Sequence, residues 1–221
     1  MKHKFHILRF STLPSTNDYA KANMHTLQDK DVILCNQQTK GRGRFDRIWE
    51  SGKDLTFTMV SHSAASHSLI APCALIEALK QFQIHASIKW PNDILVEGKK
   101  VCGILIENVF IGNELAGEVI GIGVNLSPIP LQLQEKATYL NLDKDALLDE
   151  ILFQYERLSA LSTENILTIY RKANYLQGRK ILLNDVLWYV EDISEEGYLI
   201  LTDLETTKVL KSEEVSLSHI Y

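Results

Sequence analysis

The middle of the sequence alternates apolar runs with tight turns, and this pattern constrains the fold more than any other feature. The apolar runs cover residues 86–90, 94–96, 101–108 and 117–126, and polar turns lie between them at 91–93, 97–100 and 112–114. Strands joined by such short turns must pair antiparallel, because a parallel connection needs a crossover of a dozen or more residues. The centre of the chain therefore predicts antiparallel hairpins.

Further strands and helices are predicted on both sides of these hairpins. Strands are expected at 5–10 and 32–35, with a polar turn at 11–15 and a half-buried, alternating strand at 55–60. Helices are expected at 19–22, 68–82, 145–161 and 163–175. Pro72 is tolerated in a first turn, which places the second helix start near Leu69, and Thr163 is expected to cap the last helix. The pattern predicts an α+β fold with a mixed, mainly antiparallel sheet flanked by helices.

The character of the chain changes at Gly178. Short strands separated by turns are predicted at 181–183, 187–190, 198–201, 208–210 and 215–217. About forty residues of this kind indicate a small barrel or sandwich. We therefore place a domain boundary near Leu176, which divides the chain into residues 1–176 and 177–221.

Charge and cysteine content narrow the classes of function. The 28 acidic and 23 basic residues give a net charge of −5, so a basic patch must be local and suits a small phosphate ligand better than a duplex. Cys35, Cys73 and Cys102 lie in apolar stretches without a CxxC spacing, which indicates reduced core thiols in a cytoplasmic protein. No signal peptide and no membrane-spanning run are found in the sequence.

A glycine- and arginine-rich stretch at 38–49 is too polar for a core strand or helix. Gly41 and Gly43 allow close approach of the backbone to a ligand, and the arginines between and after them are donors for an anion. Trp49 adds a flat apolar face. A ligand that is anionic at one end and planar at the other, such as a nucleotide, would fit both the arginines and the tryptophan. Taken alone, such a stretch is about as often a solvated basic loop.

Three other stretches are unusual. Pro91 fixes the bend in Lys-Trp-Pro-Asn-Asp at 89–93 and would hold Asn92 and Asp93 in fixed orientations. Glycines alternate at 121–125 and leave one face of a strand bare for a ligand, a bulge or a packed helix. Ser15 and Asp18 resemble a capping box, and the same helix N-terminus could present polar groups to a ligand.

Taken together, these stretches closely resemble the biotin–protein ligases. The matching pieces occur in the family's order: Ser15-Thr16-Asn17, Gln38, Gly41-Arg42-Gly43-Arg44 with Arg47 and Trp49, 89–93, Lys100 with Gly103, and 121–125. The resemblance implies a class II synthetase-like catalytic domain and an SH3-like barrel made by the C-terminal strands. The sequence starts at the catalytic domain, so a DNA-binding role is not expected.

The resemblance also implies an activity. Biotin is activated by ATP as biotinyl-5′-AMP and is then transferred to a lysine of a biotin carboxyl carrier domain. Mg²⁺ is expected to enter with ATP and to keep most of its waters, without direct ligands from the protein. A monomer or a weak homodimer is expected.

Site residues carry over position by position. The expected biotin-binding residues are Ser15, Thr16, Asn17, Gln38, Gly41, Arg42, Gly43, Arg44, Lys100 and Gly103. Those expected to bind ATP are Arg44, Arg47, Trp49, Asn92, Lys100 and Asn125. Lys100, Arg44, Asp93 and Lys89 are the expected catalytic residues, with Lys100 bridging the two reacting acids, Arg44 sealing in the adenylate, and Asp93 either orienting or deprotonating the incoming lysine.

Three other functions are compatible with parts of this pattern. A lipoate–protein ligase also adenylates a carboxylate, although its arginine and glycine signatures differ. A basic-loop nucleic-acid-binding module is disfavoured by the acidic net charge and by the lack of aromatics among the basic residues. A ligase-like protein that only binds and senses biotin is the third.

Overall fold

The structure is a computed structural model that describes residues 3–49, 52–63, 66–183 and 185–211, together with Val215 and Ile220. The helices are α1 Thr16–Ala22, α2 His67–Gln81, α3 Lys144–Ser159 and α4 Thr163–Ala173. The strands are β1 His6–Leu13, β2 Asp31–Gln38, β3 Leu55–Ser61, β4 Ser87–Lys89, β5 Asp93–Val96, β6 Lys99–Ile111, β7 Glu114–Val124, β8 Lys180–Leu183, β9 Val186–Ile193, β10 Leu199–Thr202 and β11 Thr207–Leu210. Short 3₁₀ turns lie at Arg44–Asp46 and Leu131–Leu133.

Seven strands form one sheet in the order β1-β2-β3-β7-β6-β5-β4. The pair β1–β2 is parallel and is connected through α1, while the other neighbours are antiparallel. The predicted mixed, mainly antiparallel α+β fold is confirmed. The hairpin turn predicted at 97–100 is formed by Glu97 and Gly98, both with positive φ, so Lys100 belongs to a strand.

Two strand predictions need correction. The first strand continues to Leu13, through the predicted polar turn, because parallel pairing pulls Thr12 and Leu13 into register with β2. The third strand is buried throughout instead of half-buried. Its polar residues are compatible with burial because Thr56 donates to the carbonyl of Cys35 at 3.0 Å, and Thr58 bonds to side chains of α1.

Two helix starts also differ from the prediction. The second helix begins at His67, so Pro72 lies beyond its first turn. The carbonyl left without an amide partner is that of Ser68, whose exposure lets water replace the bond. The last helix is capped by Ser162, which accepts from the amide of Asn165, and Thr163 is its first residue.

The two faces of the large sheet are covered by different elements. The main hydrophobic cluster joins α2, α3 and α4 to one face. Its α3 members are Leu147 and the predicted Leu148, Ile151, Leu152, Tyr155 and Leu158. A smaller cluster packs α1 on the opposite face through Ala20, and Met24 just after the helix, against Ile33, Val60 and Val119. The alternation of side chains along each strand explains this division. All three cysteines are buried free thiols, and none of the described helices is long and apolar enough to cross a membrane.

The C-terminal strands form a second, four-stranded antiparallel sheet in the order β11-β10-β9-β8. The strand predicted at 215–217 falls mostly outside the described residues. The polar contacts that attach this sheet to the larger part include those of Arg171, which donates to both carboxylate oxygens of Asp192 at 2.7 and 2.9 Å. Trp90 also donates its indole N–H to the carbonyl of Gly197 at 2.9 Å. Apolar residues of the small sheet, including Val190 and Leu199, also join the main cluster.

Candidate active site

One cavity of about 600 Å³ collects nearly all of the predicted site residues. It opens between the start of α1, the glycine- and arginine-rich loop, the β4–β5 turn and the strands β6 and β7. The predicted residues in its wall are Ser15, Thr16, Asn17, Gln38, Arg42, Gly43, Arg44, Arg47, Trp49, Lys89, Asn92, Asp93, Lys100, Gly103 and Asn125. Stretches from across 110 residues of sequence therefore converge as the resemblance implied.

Gly41 is a predicted biotin-binding residue that does not line this cavity. It is buried behind the wall, where its carbonyl accepts the amide of Trp49 at 2.9 Å. A Cβ added to Gly41 would lie 2.4 Å from the carbonyl oxygen of Trp49. The glycine thus lets the two ends of the loop close on each other.

At one end of the cavity lies a set of paired polar groups, which we call the polar floor: Ser15, Thr16, Asn17, Gln38 and Thr58. Ser15 caps α1 by accepting the amide of Asp18. Thr16 donates its backbone N–H to Oε1 of Gln38 at 2.7 Å, and its hydroxyl lies 3.1 Å from the same oxygen. The hydroxyl of Thr58 lies 2.8 Å from Thr16 Oγ1 and 2.6 Å from Asn17 Oδ1. These bonds fix the orientation of each side chain.

The capping box is formed only in part, because the carboxylate of Asp18 bonds to cations instead of its own helix. Arg42 and Lys21 both pair with it. Burial raises the pKa of Asp18, but hydrogen bonds from Arg42 and then Lys21 outweigh burial and hold that pKa below its ordinary value. Arg42, at the start of the loop, is in this way tied to α1.

The bare face of β7 is occupied by side chains of the protein itself. A Cβ on Gly121 would lie 2.3 Å from Oδ1 of Asn17, and one on Gly123 would lie 2.4 Å from the ring of Trp49. Gly103 on β6 likewise faces Lys100 and Trp49. The alternating glycines therefore make room for Asn17, which lies on helix α1, and for the indole ring of Trp49.

Cationic side chains surround the other end, and we call Arg44, Arg47, Lys89 and Lys100 the cationic rim. Nζ of Lys100 lies 2.6 Å from Oδ1 of Asp93, and Nζ of Lys89 lies 3.8 Å from Oδ2. Arg44 reaches Oδ1 of Asn92 at 3.4 Å. The arrangement concentrates positive charge around the carboxylate of Asp93, where it can stabilise an anionic ligand.

Trp49 lies between the rim and the bare glycines. The ammonium of Lys100 is 5.8 Å from the centroid of its ring. Its indole Nε1 is buried and has no hydrogen-bond partner among the described residues. An unpaired buried donor is costly, and an acceptor atom of a ligand would remove that cost.

Several residues of the site were missed by the sequence analysis. Thr58 bonds to the floor from the middle of β3, and Asp54 accepts the amides of Leu126 and Ser127 at 2.8 and 3.0 Å. Asp54 thereby fixes the turn after Asn125, whose Nδ2 donates to the carbonyl of Thr138 at 3.0 Å. Their partners lie far away in sequence, so no local pattern marks them.

Comparison with known proteins identifies the family. The Biotin/lipoate A/B protein ligase family matches residues 9–125. The bifunctional ligase/repressor BirA of Bacillus subtilis is 28% identical over 240 residues, covering 96% of this chain and 73% of that protein. The biotin–[acetyl-CoA-carboxylase] ligase of Paracoccus denitrificans is 36% identical over 126 residues, or 52% of each protein.

Solved structures agree on the fold. The biotin protein ligase from Aquifex aeolicus, in complex with biotin and ATP, superposes with a TM-score of 0.81 at 24% identity, covering 96% of this chain and 97% of that chain. Because the family match spans more than half of the 221 residues and includes the cavity's glycine- and arginine-rich loop, the chain belongs to the biotin/lipoate A/B protein ligase family.

Proposed function

We propose that this protein is an ATP-dependent biotin–protein ligase, which forms biotinyl-5′-AMP and transfers biotin to a lysine of a biotin carboxyl carrier domain. The observation that carries the proposal is the single cavity with a polar floor at one end and a cationic rim at the other. The relative named as a biotin–[acetyl-CoA-carboxylase] ligase and the solved biotin protein ligase support the same substrate.

In the first step, a carboxylate oxygen of biotin bonds to the α-phosphorus of ATP, and the bond from that phosphorus to the bridging oxygen of pyrophosphate breaks. Two anions must approach each other, so the barrier depends on fixed positive charge. We assign Lys100 to bridging the carboxylate and the α-phosphate and Arg44 to holding the adenylate. Lys89, which pairs with the same carboxylate of Asp93 as Lys100, supports this assignment. Fixed charges directed at developing negative charge are often the largest single contribution to catalysis.

The polar floor suits the ureido ring of biotin. That ring presents one carbonyl acceptor and two N–H donors, while Ser15, Thr16 and Gln38 offer both kinds of partner at the cavity wall. Buried polar groups in fixed orientations reject a ring that cannot pair with them. Trp49, with its indole N–H buried and unpaired among the described residues, is assigned to the nucleotide side.

Magnesium is assigned to the triphosphate rather than to a protein cage. Among the described residues no three His, Cys, Asp or Glu side chains are grouped as metal ligands, and Asp93 is occupied by lysines. This donor set fits an ion that arrives with the nucleotide and keeps most of its waters. When bound, Mg²⁺ would neutralise charge on the phosphates.

In the second step, the neutral ε-amine of the acceptor lysine bonds to the carbonyl carbon of the mixed anhydride, AMP leaves with the electron pair of the broken C–O bond, and the nitrogen releases one proton to solvent. Asp93 pairs with the ammonium of Lys100 at 2.6 Å, and we therefore assign Asp93 to positioning Lys100.

For the C-terminal part we propose an SH3-like barrel over 177–221 as a separate domain, supported by the four antiparallel strands.

The deciding experiment is incubation of the protein with ATP, biotin and a biotin carboxyl carrier domain, followed by streptavidin blotting. Labelling that requires ATP is expected, and calorimetry should show binding of biotin but not of lipoate. Biotin binding without transfer would favour a sensor, and transfer of lipoate would favour the other branch of the family. Either result would reject the proposal.

A further inference from the structure

Glu107 on β6 lies behind the polar floor and does not line the cavity. Its Oε2 accepts Nδ2 of Asn17 at 2.8 Å, and its Oε1 lies 2.7 Å from Nζ of Lys21. Arg42 approaches the same Oε1 at 3.8 Å. One carboxylate thus contacts the floor, helix α1 and the beginning of the loop, although no sequence motif marks it.

The carboxylate and the carbonyl of Leu105 together determine which way the amide of Asn17 points, and the carboxylate makes the shorter of the two bonds. An ionised carboxylate only accepts, so the amide nitrogen of Asn17 must face Glu107. Its second N–H is used by the carbonyl of Leu105 at 3.1 Å. The oxygen of Asn17 is consequently directed at Thr58, 2.6 Å away, and the orientation of this amide is no longer free.

The donor-to-acceptor direction of these hydrogen bonds also constrains Thr16, which lines the cavity. Thr58 has a single hydroxyl proton, and Asn17 Oδ1 takes it because that oxygen has no proton to give. The proton of Thr16 then goes to Thr58 at 2.8 Å or to Gln38 at 3.1 Å, and in both cases it is used inside the floor. The hydroxyl oxygen of Thr16 therefore offers only lone pairs to the cavity, which selects an N–H donor on the ligand.

We infer that Glu107 is a positioning residue, which makes Thr16 an acceptor for a ring N–H of the substrate. The inference rests on the proposed function, since it specifies how the ureido ring is recognised. It places ring selectivity under the control of a carboxylate that does not line the cavity.

The test is Glu107→Gln, which keeps the size of the side chain but can present either oxygen or N–H₂ to Asn17. ATP–pyrophosphate exchange should show the KM for biotin raised about tenfold, since a part-buried hydrogen bond to a charged group is lost. The KM for ATP and kcat should stay within about twofold, because Glu107 pairs with Asn17, Lys21 and Arg42 and not with the rim residue Lys100.

Ring selectivity is the measurement that would not change if Glu107 had only a structural role. The competitor is a cyclic carbamate analogue of biotin with one ring N–H replaced by oxygen, used as both isomers. The wild-type protein should prefer biotin strongly over one isomer, and Glu107→Gln should reduce that preference about tenfold because Thr16 can then offer its proton. Thr58→Val, which removes the intermediate hydroxyl, should reduce it as well.

Glu77→Gln is the matched control. The side chain of Glu77 is 22% exposed against 24% for Glu107 and also pairs with an arginine, Arg157, away from the cavity. It should leave KM and selectivity unchanged. Unaltered selectivity in Glu107→Gln, or equal losses for biotin and ATP, would overturn the inference. Absence of exchange in the wild type would instead reject the proposed function, and calorimetry with the same ring analogues would still decide the role of Glu107.

Discussion

The two ends of the cavity are built differently. Ser15, Thr16 and Asn17 on the floor are each 4% exposed, and their side chains bond to one another or to the backbone at short distances. On the rim, Arg47 is exposed and Arg44 half-buried. The floor is preorganised for an uncharged ring, whereas the rim presents long, more exposed arginine side chains to phosphates. Selectivity is thus expected to depend on the floor and rate on the rim.

The largest effect is expected for Lys100→Ala, which breaks the rim. Adenylation should fall by about 10²- to 10³-fold, as is typical when one stabilising donor is removed, while the fold and biotin binding at the floor remain. ATP–pyrophosphate exchange and circular dichroism would measure both. Lys99→Ala, at the neighbouring exposed position of β6, is the control. Near-normal exchange in Lys100→Ala would contradict the assignment.

Gly121→Ala should break the floor instead. The added Cβ would lie 2.3 Å from Oδ1 of Asn17, so that side chain must move, and overpacking of this kind costs about 1–3 kcal/mol. The KM for biotin should rise about 10- to 100-fold, the range that free energy corresponds to, with the KM for ATP little changed. Gly52→Ala, where nothing lies within 4 Å, should leave the unfolding temperature unchanged. An equal loss of biotin and ATP affinity would erase the distinction between the two ends.

Arg44→Gly should separate sealing from synthesis on the rim. Losing a charge-assisted contact to the adenylate weakens its retention by roughly tenfold, so biotinyl-5′-AMP should escape and label lysines outside the carrier domain. Mass spectrometry of a bystander protein would count those lysines. Strict selectivity for the carrier domain would show that Arg44 does not seal the cavity.

The smallest effect is expected from Asp18→Asn, at the anchor of the loop. Burial raises the pKa of Asp18 in the folded protein, but Arg42 and Lys21 lower it more, so the folded pKa lies below the ordinary value of 3.8. The charge of Asp18 therefore stabilises the fold at pH values above 3.8, and this stabilisation is lost as the pH falls through the folded pKa. The variant should lose at most about 1 kcal/mol at pH 7, because the carboxylate is nearly half exposed. Denaturant unfolding at pH 7 and pH 3 should show the difference shrinking at the lower pH. A difference that grows in acid would have the wrong sign.

The sequence predicted the fold best where local patterns decide it. The hairpins from Ser87 to Val124 follow from alternating apolar runs and short turns, and the buried face of α3 follows from its period. Burial of both faces of β3 was missed, because Thr56 and Thr58 read as exposed positions while their hydroxyls bond to β2 and α1. The wrong helix cap at Thr163 has a similar origin, since two adjacent hydroxyl residues compete for that position.

The site was predicted where glycines and cations form recognisable clusters, and missed where contacts are distant. Asp54 bonds to Ser127 and Glu107 bonds to Asn17, each across 70 or more residues. Such contacts arise from the order of strands in the sheet, which pairs β3 and β6 with β7, and a pattern along one segment does not encode that order.

The bond from Trp90 to Gly197 has a consequence for efforts to make a smaller version of this protein. Trp90 is 1% exposed and directly precedes the Pro-Asn-Asp turn at the cavity, while Gly197 packs against Ser68 and Leu69 at the start of α2. Trimming the chain at residue 176 would leave the indole N–H unpaired and uncover apolar surface beside the reacting groups. A compact labelling tool derived from this chain must therefore retain the β9–β10 hairpin, or replace Trp90 together with it.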